Sequence, residues 1–379
     1  MTQGGDKPVT PIMDWFELTV PVIQAPMGGG PSTPQLATAV SNAGGMGSIA
    51  AGYLQPDEIQ RQIDVVRTAT DRPFLVNLFV MEETSVATDD ARAAAASLLA
   101  ALRAELGLPE QDDHVPAMPS ATAQFAAVLD AAPAAVSFTF GLPSRDWIAA
   151  LADAGCRTVA TATTVAEATA AQRQGVDAIC VQGLEAGAHS GSHQGQAPPR
   201  RSTSALLVEC RDALSTPLIA AGGIMDGRGV AAAIVQGASA VQMGTAFLLC
   251  PEAGTSRPHR EALMDHRDAS SETSLVRTLT GRWARAIPNR LVAETGAIEG
   301  IGYPELHLMT SALRKAAARQ DRQDLMALWA GDLYRLARQR PAAEIVAEIG
   351  GTLARVLAGW GDPSARPPSA DEADETVQR

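Results

Sequence analysis

The chain has 379 residues, a net charge of −12 at pH 7, a pI near 5.0 and 46% hydrophobic residues. That much apolar material excludes disorder throughout, and the acidic balance excludes a general nucleic-acid binder, which needs a basic surface. No apolar run reaches membrane-span length and the first 14 residues hold no apolar signal region, so a cytoplasmic protein without a membrane segment is expected.

Short apolar runs recur along 22–248: VIQAPM (22–27), MGSIAAG (46–52), PFLVNLFV (73–80), AAVSFTFG (134–141), RTVATAT (157–163), AICVQGLE (178–185), PLIAAGG (217–223) and AVQMGTAFL (240–248). They are apolar on both faces, as strands of a covered parallel sheet are. Helical patterns lie between them. Residues 34–43 open on a proline, and 56–70 carry Asp57 and Glu58 at the start and Arg67 near the end, which suits the helix dipole. Stretches 144–154 and 164–174 begin at Ser144 and Thr164 and stop at Gly155 and Gly175, and 226–236 stops at Gly237. Eight strand–helix units predict an α/β fold of the (β/α)8 TIM-barrel class. A doubly wound open sheet is the competing layout, but no GxGxxG follows the first strand.

The connection 81–133 is too long for a simple crossover. It reads as an inserted segment: a helix over 86–106, a proline-bearing loop over 107–120 and a short helix over 121–130. Residues 251–360 have helical periodicity and are expected to form a C-terminal helical cap after a barrel spanning 15–250. Residues 361–379, rich in Pro, Asp, Glu and Ser, are expected to be a disordered tail. Cys156, Cys180, Cys210 and Cys250 form no CxxC pair, which fits reduced core thiols and excludes a disulfide scaffold or zinc ribbon. Lysine occurs only at Lys7 and Lys315, so the barrel holds no lysine for Schiff-base chemistry.

Reacting groups in such barrels sit at the C-terminal ends of the strands. The first strand ends in Ala25-Pro26-Met27 followed by three glycines, a surface on which a flat ligand can lie without meeting Cβ atoms. The seventh ends in Gly222-Gly223, and the eighth carries Gln242-Met243-Gly244-Thr245. Backbone N–H groups at those two ends are placed to bind a phosphate. Asn77 and Gln182 interrupt apolar runs near strand ends, so each needs a polar partner, either neighbouring backbone or the edge of a heterocycle. The loop after strand six, 183–193, is glycine-rich and carries His189 and His193. His189 lies nearer the strand end and is the candidate for proton transfer. His114, His259, His266 and His307 read as surface or cap residues.

These runs resemble the nitronate monooxygenase family, formerly called 2-nitropropane dioxygenases. PVIQAPMGGGPSTPQLATAVSNAGGMGSIAAGYL matches its N-terminal signature, and VNLF, VQGLEAGAHSG, AAGGI and QMGTAFL follow in the family's order. The resemblance implies non-covalent FMN and oxidation of a nitronate, or of a nitroalkane, with O2 to a carbonyl compound and nitrite. By motif position it puts Ala25, Pro26 and Met27 along the flavin's reactive edge, and Asn77 and Gln182 against the flavin or its ribityl chain. Gly187, Gly222, Gly223, Gln242, Met243, Gly244 and Thr245 would surround the phosphate, and His189 takes the place of the catalytic histidine. One position departs: the family pattern has a histidine where Thr139 stands in VSFTFG, and a hydroxyl is no base at neutral pH.

Three alternatives stay open. An NAD(P)H-dependent flavin reductase of a quinone or enoyl thioester shares the scaffold. Chemistry like that of inosine-monophosphate dehydrogenase needs a cysteine in the loop after strand six, and 186–202 has none. A barrel that has lost activity is the non-enzyme reading. Monomer and homodimer are both compatible with the acidic surface.

Overall fold

Nine strands precede residue 245: β1 (Val22–Gln24), β2 (Gly47–Ala50), β3 (Phe74–Phe79), β4 (Ala135–Thr139), β5 (Arg157–Ala162), β6 (Ala178–Gln182), β7 (Ala188–His189), β8 (Leu218–Ala221) and β9 (Ala240–Met243). All except β7 form one parallel sheet in the order β1-β9-β8-β6-β5-β4-β3-β2. A parallel bridge between Ile23 and Met46 joins its two ends. Gln24 N–H donates to Met46 O at 2.9 Å and Met46 N–H to Val22 O at 2.9 Å, so the sheet closes into the expected barrel. The computed structural model describes residues 10–81, 87–109, 117–195, 197–265 and 272–359. The expected tail at 361–379, His114 and His266 lie outside them.

The helices follow the sequence signals. After a short α1 (Pro11–Trp15) come α2 (Pro34–Asn42), α3 (Pro56–Ala69), α4 (Asp89–Glu105) and α5 (Ala121–Ala131). Then follow α6 (Arg145–Asp153), α7 (Val165–Gln174), α8 (Thr203–Ala213) and α9 (Gly227–Val235). Ser144 and Thr164 cap α6 and α7 by accepting from Trp147 N–H and Glu167 N–H. Gly175 ends α7 at φ +98°.

The long connection after β3 divides between two layers. Phe125, Val128 and Ala131 of α5 pack with Ile59 and Ile63 of α3 and with Val76 of β3, so α5 is the barrel's own helix for that unit. Leu99 and Leu102 of α4 pack instead with the C-terminal segment. That segment holds α10 (Arg257–Asp265), β10 (Ser274–Val276), β11 (Ala284–Ala286), α11 (Arg290–Glu294), α12 (Glu305–Arg319) and α13 (Ala342–Gly359). Helix α13 joins the barrel's helical layer: Ile345, Val346 and Ile349 share a core with Leu36 and Val40 of α2 and Val230 of α9. Strands β10 and β11 make an antiparallel ladder with β7. Ladders of two or three residues leave no readable period, which is why a purely helical reading of 251–360 missed them.

The N-terminal mouth is closed by α1. Ile12, Met13, Phe16 and Leu18 pack onto the barrel interior at Ile23, Leu75, Val159 and Ile219. The opposite mouth, at the strands' C-terminal ends, lies beneath β10, β11 and α12. Among the described residues, no helix is long and apolar enough to cross a membrane.

Gly47 shows how closely β2 approaches α2: a Cβ there would lie 2.0 Å from the backbone oxygen of Ala37. Gly47→Ala is expected to destabilise by about 1–3 kcal/mol through overpacking, seen as a fall in melting temperature. An unchanged melting temperature would mean that α2 retreats freely from the sheet.

Candidate active site

The end of β1 is built by its own side chains. Buried Gln24 donates from Nε2 to Ser32 Oγ at 2.8 Å and to Ala25 O, and its Oε1 accepts from Ser48 N–H at 2.9 Å. Ser32 Oγ accepts from Met27 N–H at 2.8 Å, and Ala25 N–H donates to Met243 O at 2.8 Å. Ala25, Pro26 and Met27 therefore form a fixed edge beside the end of β9. A Cβ on Gly244 would lie 3.4 Å from Ala25 Cβ and 3.6 Å from Met27 Sδ.

The ends of β6, β8 and β9 meet in a glycine cradle. Gly222 and Gly223 have φ of +114° and +68°, values that an L side chain resists. A Cβ on Gly222 would lie 3.1 Å from Ala186 N, and one on Gly187 would lie 2.5 Å from Gly331 N. Gly331 N–H donates to Thr245 Oγ1 at 3.0 Å. The N–H groups of Gly222, Gly223 and Gly244 have no backbone partner among the described residues. Close backbone approach with free N–H groups is the arrangement that a phosphate requires. Met243 is buried in β9, and Gln242 is half-buried there, in register with Ile23 and Ala221.

Both amides sit near strand ends, and both have protein partners. Asn77 is 2% exposed and donates from Nδ2 to Ser137 Oγ at 2.9 Å and to Thr139 Oγ1 at 3.0 Å. The departing Thr139 hydroxyl is thus tied to Asn77. Gln182 donates to His189 O at 3.2 Å and accepts from Gly191 N–H at 2.6 Å, so it shapes the loop that carries the histidine.

His189 is held from above. Strand β7 pairs with β11, His189 opposite Ala284, and Ser190 N–H donates to Trp283 O at 2.8 Å. Its Nε2 lies 2.9 Å from Thr280 Oγ1. Phe140, Tyr303 and Trp329 surround the ring at centroid distances of 5.9, 5.4 and 5.4 Å. Phe140 and Ala188 are non-glycine residues at φ +78° and +59°, so strained backbone flanks the ring on two sides. His193 has moved outward: Glu167 Oε1 accepts its N–H at 2.7 Å and its Nε2 lies 2.9 Å from Thr161 O.

Further residues around His189, for which the sequence implies no site role, come from distant elements. Buried Arg282 stacks over Phe140, 4.1 Å from the ring centroid, and donates to the carbonyls of Ser190 and Ser192. Tyr303 O–H donates to Tyr53 Oη at 3.0 Å. His307, on α12 of the covering segment, stacks on Tyr53 with centroids 4.7 Å apart, so of its two expected readings it is a cap residue and not a surface one. Arg314 donates to His307 O at 3.0 Å and approaches its Nδ1 at 3.2 Å. Among the described residues neither Arg282 nor Arg314 has a carboxylate within ion-pair distance. A buried charge without a countercharge is costly. Burial pulls Arg282 down to about 10. Burial, and then the charges of His307, Arg282 and Arg314, hold His189 well below its usual value. Burial and Arg314 pull His307 down to about 3. At neutral pH the mouth thus presents two guanidinium charges and neutral imidazoles, an environment that favours an anion.

The nitronate monooxygenase family model matches residues 10–351. The chain is 42% identical over 342 residues to a nitronate monooxygenase of Pseudomonas aeruginosa, covering 86% of this chain and 94% of that one. It is 37% identical over 330 residues to a probable nitronate monooxygenase of Bacillus subtilis, covering 84% and 91%. The structure is similar to that of nitroalkane oxidase from Streptomyces ansochromogenes, with a TM-score of 0.86 and 40% identity over 92% of this chain and 99% of that one. FabK from Thermotoga maritima shares the fold at 24% identity and a TM-score of 0.73, over 94% and 99%.

Removing a positive charge that disfavours protonation raises a histidine's pKa. Arg314→Met is therefore expected to raise the pKa of both His307 and His189 in an NMR titration of the ring protons. Unmoved titrations would mean that burial alone sets both.

Proposed function

The chain belongs to the nitronate monooxygenase family, a generally flavin-dependent family of oxidoreductases, and from that premise we propose that it oxidises alkyl nitronates with O2, on bound FMN, to a carbonyl compound and nitrite. The observation that carries this reading is that two guanidinium groups, Arg282 and Arg314, act on neutral His189 and, among the described residues, have no carboxylate within ion-pair distance. A nitronate is a carbanion equivalent whose charge rests on its nitro oxygens. It supplies the anion that this site lacks, and two fixed donors cost no reorganisation when it binds.

FMN fits the residues present. The free N–H groups of Gly222, Gly223 and Gly244, with Gly187 and Thr245 beside them, would hold the phosphate. Ala25, Pro26 and Met27, with Gln242 and Met243 beside them at the end of β9, are the residues that would hold the flavin ring. Asn77 and Gln182 each keep hydrogen-bonding capacity beyond the protein bonds described above. When bound, the flavin supplies electron transfer between the nitronate and O2. The protein's part is to orient the anion by Arg282, Arg314 and the Tyr53–Tyr303 pair, and to exclude water beneath α12. For a neutral nitroalkane it must also take the α-proton, and His189, neutral at pH 7, is the base. The similarity to a nitroalkane oxidase supports that second substrate form.

The test is oxygen uptake with nitrite release by the FMN-loaded protein on an alkyl nitronate, with no NAD(P)H. Uptake that requires NADH would move the assignment to a flavin reductase. His189→Ala is expected to lower kcat/KM for a neutral nitroalkane about 10²–10⁴-fold, with a smaller loss on the preformed nitronate. Full turnover of the nitroalkane by that variant would remove His189 as the base.

A second expectation concerns cofactor loading. Gly222→Val places a branched side chain at φ +114°, where Cβ would sit 2.7 Å from Thr203 Oγ1, and is expected to weaken FMN retention on gel filtration. Normal loading would put the phosphate elsewhere.

A further inference from the structure

Thr280 lies between the barrel and its cover, fully buried at 0% exposure. Its hydroxyl touches two groups. One is His189 Nε2 at 2.9 Å, and the other is the backbone oxygen of Arg282 at 3.3 Å. A hydroxyl carries one proton and can give it to only one of them. A carbonyl oxygen can only accept. Among the described residues, the Thr280 hydroxyl is the only donor to the Arg282 carbonyl, and a buried carbonyl without a donor is costly. The proton therefore belongs on the Arg282 side. The imidazole nitrogen must then be the donor in the shorter contact, which puts the ring proton on Nε2.

We propose that Thr280 is a positioning residue that holds neutral His189 as the Nε2–H tautomer, leaving Nδ1 as the basic nitrogen. The inference rests on the reading of His189 as the base only for its effect on turnover; the tautomer itself does not depend on that reading. Nδ1 makes no hydrogen bond among the described residues and carries the lone pair. When it takes a proton from a nitroalkane α-carbon, that C–H electron pair passes to the nitro group, which becomes the nitronate. The Nε2–H bond to Thr280 stays in place, so the imidazolium forms without a change of ring orientation. The same buried hydroxyl ties this ring to the backbone of Arg282, whose guanidinium stacks on Phe140.

The test uses FMN-loaded protein labelled with 15N-histidine, read by long-range 1H–15N NMR at a pH where His189 is neutral, with its signals assigned by their loss in His189→Gln. Wild type and Thr280→Ser are expected to show the Nε2–H pattern. Thr280→Val, which keeps shape and loses the hydroxyl, is expected to show mixed tautomers. It should also lose on the order of ten- to a hundred-fold in kcat/KM on a neutral nitroalkane, more than on the preformed nitronate, with Thr280→Ser restoring it. An Nδ1–H pattern in wild type overturns the proposal without any variant. An unchanged tautomer in folded Thr280→Val overturns it as well. A mixed tautomer in Thr280→Val together with full nitroalkane turnover by His189→Ala would uphold the tautomer assignment and remove the base reading instead.

Discussion

The two-residue ladder between β7 and β11 is the constraint on which the rest of the site depends. Strand β6 delivers the chain to the mouth, but Ala188 and His189 are fixed by Ala284 and Arg285 of the covering segment. The same crossing brings Thr280 and Arg282 onto the histidine. It also sends Arg285 Nε to the carbonyl of Leu184 at 2.8 Å, which fixes the loop leading to Gly187. Barrel and cover thus build one mouth, and neither fixes His189 alone.

Electrostatics follow from that geometry. The barrel interior is lined by apolar residues such as Leu75, Val159, Ala178 and Ile219 and gives way near the mouth to Asn77, Ser137, Thr139, Thr161 and Gln182. Above this polar layer Arg285 pairs with Asp332 at 3.2 Å, whereas Arg282 and Arg314 have no carboxylate within ion-pair distance among the described residues. Glu105, Arg290, Arg322 and Asp324 form a network between α4 and the C-terminal segment that ties the insertion down. Glu185 serves as an acceptor for Thr203 N–H and its hydroxyl at the start of α8. Acidic side chains near the site do structural work, so the mouth keeps its positive character within a chain whose net charge is −12.

The barrel was legible because its signals are local. Eight apolar runs and the caps at Ser144, Thr164 and Gly175 belong to single elements, and each appears where expected. Glycines at the ends of β8 and β9 were legible for the same reason. The site roles of Tyr53, Arg282, Tyr303, His307 and Arg314 were not: Tyr53 and the stretch 303–314 carry part of the family resemblance, but local sequence does not say which of their side chains reach the histidine. His307 sits on a helix with an ordinary amphipathic pattern, and only the fold stacks it on Tyr53. Thr139 was visible as a departure from the family pattern, but its bond from Asn77 depends on the register of β3 against β4. Helix α13 read as cover and packs in the helical layer because its partners, α2 and α9, are more than a hundred residues away in the chain.

The central claim is that this mouth is built to bring an anion to a flavin. Mixing FMN-loaded protein with an alkyl nitronate in the absence of O2, and following the flavin's visible absorbance, tests it most directly. The account predicts that the oxidised-flavin spectrum is lost on nitronate alone, with NADH leaving it unchanged. A spectrum that persists with nitronate and bleaches with NADH would contradict it.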